Sequence, residues 1–75
     1  MNAEIFRAIR LKKGMTQSKY ANLLGISEST VAAIENGRRG ISDQVRARLA
    51  REVEIDEELL YFLESYRKLG NINPF

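Results

Sequence analysis

The chain has 75 residues and a formal net charge of +2, with no cysteine and no histidine. Disulfides, thiolate chemistry and the commonest zinc ligand are thereby excluded; no cofactor is implied, and a metal site would have to be built from carboxylates alone. The apolar runs are too short to span a bilayer and the N-terminus does not read as a signal peptide, so one small soluble intracellular domain is expected, with no membrane partner.

Five helices are predicted, making the fold class all-α. The first runs from Ala3 to about Lys13, capped by Asn2 and closed by Gly14, with Ile5, Phe6 and Ile9 as its buried stripe. Met15 then packs inward, and Thr16 caps a second helix over Gln17 to about Leu24. Tyr20, Ala21 and Leu24 share one face of that helix. Gly25, free to take a positive φ, ends it; Ile26 plugs the turn, and Ser27 caps a third helix from Glu28 to about Asn36, with Val31 and Ile34 inward. Two short helices joined in this way describe a helix-turn-helix, whose second helix can enter a DNA major groove. Gly37-Arg38-Arg39-Gly40 connects to a fourth helix over about Asp43 to Glu52, capped by Ser42 and packed through Val45, Leu49 and Val53. Arg46, Arg48 and Arg51 are expected to lie toward solvent, most simply as a solvated face; contact of one or two of them with DNA is the alternative, which turns on the helix angle. The fifth helix is expected from Glu57 to Leu69, stopped by Gly70, so that residues 1–69 form the domain and 70–75 a short tail.

The outward, N-terminal face of the third helix carries Ser27, Glu28, Ser29, Ala32 and Ala33. Small side chains there let a helix sit deep in a groove. An alanine methyl can pack on a thymine methyl, and a glutamate can accept from a cytosine amino group. The alanines are equally accounted for as good helix formers. Charge is distributed unevenly. Residues 1–51 hold ten Lys/Arg against four Asp/Glu, a balance of +6, whereas residues 52–75 hold two against six, a balance of −4. The basic portion suits a polyanion. Within it, Arg38 and Arg39 follow the reading helix directly, where a phosphate strand would pass. Lys19 in the first turn of the second helix opposes the dipole unless a phosphate sits nearby; solvation is the alternative. Lys12 and Lys13 are explained by helix termination or by DNA contact.

The segment IRLKKGMTQSKYANLLGISESTVAAIENGRRGIS resembles the phage repressor and Cro-like family of helix-turn-helix regulators, over about residues 5–60. The shared pattern is Thr-Gln opening helix two, alanine at its centre, glycine at the turn, the apolar residues of helix three and the Glu-Asn-Gly that ends it. The resemblance implies a compact lambda-repressor-like domain, a phosphate contact or bracing role for Gln17, base contacts from Glu28, Ser29 and Ala33, and a phosphate contact from Asn36. It also implies a pairing of Arg10 with Glu35, which agrees with the residues themselves, since both adjoin buried positions and a half-buried charge needs a partner. Lys19 and Tyr20 depart from the family, which commonly has an acid and a leucine there.

The fifth helix carries more apolar surface than one stripe requires. Tyr61, Phe62, Tyr66 and Leu69 are the candidate dimer interface, unless Ile72, Pro74 and Phe75 fold back over them. The functional expectation is a sequence-specific regulator of double-stranded DNA, of repressor type and dimeric, in a bacterial or phage-infected cytoplasm. The competing expectation is an interaction module, antitoxin-like or an antirepressor target, that holds a regulatory protein through the fifth helix. An enzyme is disfavoured: there is no phosphate-cradling glycine loop or paired carboxylate, and Ser27, Ser29 and Thr30 lack a base.

Overall fold

A computed structural model describes residues 1–72, with side chains through Leu69. The chain folds as five helices: α1 (Ala3–Lys12), α2 (Gln17–Leu24), α3 (Glu28–Glu35), α4 (Asp43–Glu52) and α5 (Glu57–Ile72). Every helix begins at a side-chain cap. Asn2, Thr16, Ser27 and Ser42 accept from the N–H three residues on, and Asp56 does the same for Leu59 at 2.8 Å. Each such cap stabilises its helix by about 1 kcal/mol, which matters for α2 and α3, only 8 residues each. Helices that short are marginal alone, so packing must hold them.

The turn between α2 and α3 depends on Gly25, at φ +69°. Any side chain would be strained in that left-handed conformation. Gly37 meets the same demand after α3, at φ +75°. α2 packs on α3 and α4, while α1 bridges α3 and α5. A single core results, in which Phe6, Tyr20, Val31, Ile34 and Leu59 are the largest fully buried side chains. Ala8 is also completely buried, a position outside the predicted Ile5–Phe6–Ile9 stripe, and Ile5 is only half-buried.

The tyrosine that departs from the family pattern has a structural reason. The Tyr20 ring lies 4.8 Å from that of Phe6, and its hydroxyl donates to the Phe6 carbonyl at 2.8 Å. It therefore fills the core and ties α2 to α1 in one residue. Burial, and then the nearby Glu35 carboxylate, push its hydroxyl well above the usual tyrosine range.

Two expectations need correcting. α5 does not stop at Gly70 but continues to Ile72. A glycine costs a helix about 1 kcal/mol relative to alanine, a penalty that a continuing helix can absorb. Arg48 is not simply solvated, because its Nε donates to the Leu23 carbonyl at 3.2 Å. The suggested return of Ile72, Pro74 and Phe75 over α5 falls outside the described side chains.

Candidate nucleic-acid interface

The reading helix is held by an ion pair at its C-terminal end. Arg10 donates from Nε to Glu35 Oε2 at 2.7 Å and from Nη2 to Oε1 at 3.0 Å, a two-pronged geometry, and its Nη1 reaches the Met15 carbonyl at 3.1 Å. Gln17 Nε2 adds a third donor to Glu35, at 3.1 Å from Oε1. The side chains of Arg10 and Glu35 are 13% and 4% exposed. At that depth an unpaired carboxylate would be strongly unfavourable, and three donors satisfy it. The hydrogen bond to Glu35 raises the Arg10 pKa further, so the cation persists throughout the working pH range. Glu35 thus faces inward to Arg10 and Gln17, and α1, α2 and α3 are locked in one relative orientation.

This network borders a small hollow of about 190 Å³, lined by Arg7, Arg10, Gln17, Glu35 and Asn36. Gln17 is half-buried with one amide hydrogen directed at Glu35 and a second still available to an acceptor. Arg7 was not singled out by the sequence pattern. Its signal was its spacing of one helical turn from Arg10, which places both on one face.

Glu28, Ser29 and Asn36 are exposed and Ala33 is half-buried. At about 100° per residue, Glu28, Ala32, Ser29 and Ala33 occupy one continuous arc of α3, which its C-terminal cap Asn36 extends. Three hydroxyls cluster at its start, with Ser27 Oγ 3.0 Å from Ser29 Oγ and 2.8 Å from Thr30 Oγ1. Ser29 is therefore pre-oriented by the cap, and its hydroxyl retains further hydrogen-bonding capacity. Beyond α3, the backbone N–H groups of Arg38 and Arg39 both point back to the Ala33 carbonyl, at 2.9 and 3.3 Å. At Arg38 and Arg39 an anion would therefore be met by the exposed guanidinium side chains, since their own backbone N–H groups are taken.

Lys12 lies elsewhere: its Nζ is 2.8 Å from Glu58 Oε1, linking α1 to α5. Neither helix termination nor DNA contact anticipates this link. Lys19 is exposed, with its own N–H on the Thr16 hydroxyl at 3.1 Å. Tyr61 and Leu69, at 73% and 68% exposure, project from α5. Phe62 and Tyr66 are half-buried and stacked on each other at 6.1 Å. The four candidate interface residues of α5 therefore do not form one equally exposed patch.

The profile of the family described as Helix-turn-helix matches residues 6–60, more than half of the chain. The chain belongs to the helix-turn-helix family. No curated protein and no solved structure matches it. Membership makes this an all-α DNA-binding transcription regulator rather than a member of an enzyme family, with double-stranded DNA as its partner. No helix among the described residues is long and apolar enough to cross a membrane.

Proposed function

We propose that this helix-turn-helix protein is a repressor of the phage repressor and Cro-like kind, binding a palindromic operator as a homodimer. The observation that carries the reading is the outward arc of α3, with its small and polar side chains, held rigidly from behind by Arg10, Gln17 and Glu35. Glu28, Ser29 and Ala33 read base edges. Gln17, Lys19, Asn36, Arg38 and Arg39 set the register on the phosphates, and Arg7 joins them from α1. Three reading residues give a short recognition surface, so affinity requires two copies. The exposed residues of α5 supply the second contact, and two reading helices then enter half-sites about one helical turn apart. Repression follows from occupying sequence that polymerase needs.

The test is selection of bound duplexes from a random pool. A palindrome with helical-turn spacing is expected. Enriched sites without symmetry would remove the dimer and keep DNA reading. Enrichment of nothing would favour the interaction-module reading, which the outward Tyr61 and Leu69 of α5 would then serve.

A further inference from the structure

A second basic feature lies on the opposite flank of α3 from the Glu35 hollow. Thr30 and Glu35 are five positions apart, about 140° around the helix, with the buried Val31 and Ile34 between them. Glu35 faces the small hollow beside α1 and α2. Thr30 lines a groove of about 610 Å³ between the α2–α3 turn and α4, whose charged lining consists of Arg39, Arg48 and Arg51. No acidic residue lines this groove among the described residues. The reading arc is thus bordered by arginines on both sides.

We infer that this groove is a second phosphate-binding wall, which holds the sugar–phosphate strand on the far side of the major groove through Arg48 and Arg51, with Arg39. The inference rests on the DNA-reading role proposed above and extends it to α4. The dimensions support it. A helix with its side chains is about 10–12 Å across and the major groove is about 12 Å wide. A helix seated in it therefore has a phosphate strand along each flank. One flank of α3 already has Arg7 and Asn36, Arg10 being committed to Glu35; the groove gives the other flank charge of its own.

Arg48 is positioned for this role before any ligand arrives. Its Nε is fixed on the Leu23 carbonyl at 3.2 Å, and a methyl placed on Gly25 would lie 3.7 Å from its Nη1. The guanidinium thus rests against the turn that leads into the reading helix. Its contact with Glu52, at 3.8 Å and on the surface, is long enough to yield to a phosphate. Arg51 makes no hydrogen bond or ion pair among the described residues, so its charge is uncommitted. An acidic peptide would also find cations here. The groove's continuity with the reading helix through Thr30 favours the DNA strand.

The experiment measures affinity against salt concentration for a selected duplex and an unrelated one, using the full chain and the variants Arg51→Gln, Arg48→Gln/Arg51→Gln and Arg46→Gln. Arg46 is exposed on α4 but does not line the groove, so it controls for net charge. The expected result is weaker binding of both duplexes by a similar factor, with the salt slope shallower by about 0.9 for each groove arginine removed and unchanged for Arg46→Gln. Arg51→Gln breaks no bond of the fold, and an unaltered circular-dichroism melt will verify that. Equal slopes in the wild type and the groove variants would overturn the inference and leave the DNA-reading role standing. An equal loss in Arg46→Gln would overturn it too, as a general charge effect. So would binding of a labelled hexaglutamate peptide that depends on Arg51 while the DNA slope does not. A wild-type chain that binds no duplex would sink both proposals, which keeps the two failures apart.

Discussion

The surroundings of α3 and the length of α5 handle their side chains in opposite ways. Around α3, the buried charge of Glu35 meets three donors from two other helices, and no buried side-chain nitrogen or oxygen among the described residues lacks a partner. Along α5, Leu59 is buried, while Leu60, Tyr61 and Leu69 project into solvent. The first region is complete within one chain and has its rigidity built in. The second leaves large apolar side chains in solvent. A reading helix has to present fixed side chains to fixed base edges, which explains the polar bracing. An outward apolar surface is neutral until a second surface covers it.

The comparison can be broken most forcefully at its polar end. Arg10→Ala leaves Glu35 buried with only Gln17 as a donor, and should destabilise the fold by about 3–5 kcal/mol, visible as a lowered Tm. The Arg10→Met/Glu35→Leu double variant should recover much of that loss, because it removes both charges together. If Arg10→Ala melts with the wild type, the network is decoration. A smaller effect belongs to Tyr20. Its hydroxyl stays protonated in the folded state beyond the ordinary pKa of about 10, whereas the unfolded chain releases its proton there. The folded state then binds more protons than the unfolded one. Tyr20 therefore favours folding fully below pH 10 and loses that contribution as pH rises, by about 1.4 kcal/mol per unit. In Tyr20→Phe, denaturant titrations should show a shallower decline above pH 10 than in the wild type.

Ser27→Ala should cost about 1 kcal/mol, and it also frees the Ser29 hydroxyl from its present partner. Operator affinity should fall further than the fold's stability alone explains. A loss confined to stability would mean that Ser29 needs no pre-orientation. The smallest folding effect is expected at α5. Tyr61→Ser and Leu69→Ser together should leave the melt within about 0.5 kcal/mol of wild type while shifting sedimentation from dimer to monomer. A wild-type chain that sediments as a monomer at every concentration would remove α5 from the argument.

Much of this was legible in the residues. The caps Asn2, Thr16, Ser27 and Ser42 and the turn glycine Gly25 announce helix boundaries locally, since each acts within three or four positions of its own place. The inward residues Val31 and Ile34 follow from periodicity in the same way. The Arg10–Glu35 pairing needed the family resemblance to be named, because 25 residues separate the partners. Local rules failed where a partner lay outside the helix concerned. Gly70 reads as a stop, yet α5 continues; Arg48 reads as a solvated cation, yet it is tied to the α2–α3 turn. Arg7 gave no signal beyond its spacing from Arg10.

The sequence by itself determined five helices, four of them with their caps, the helix-turn-helix at Gln17–Gly37 and the basic character of the portion that contains it, because capping, periodicity and net charge are short-range or additive properties. Only the tertiary structure decided where individual charges went. It turned Gln17 inward to Glu35, tied Lys12 to α5, and brought Arg39, Arg48 and Arg51 to one groove from two segments. Those outcomes depend on how helices pack around Tyr20, Ile34 and Leu59. A charged side chain long enough to reach several neighbours takes its place from whichever of them the packing brings near.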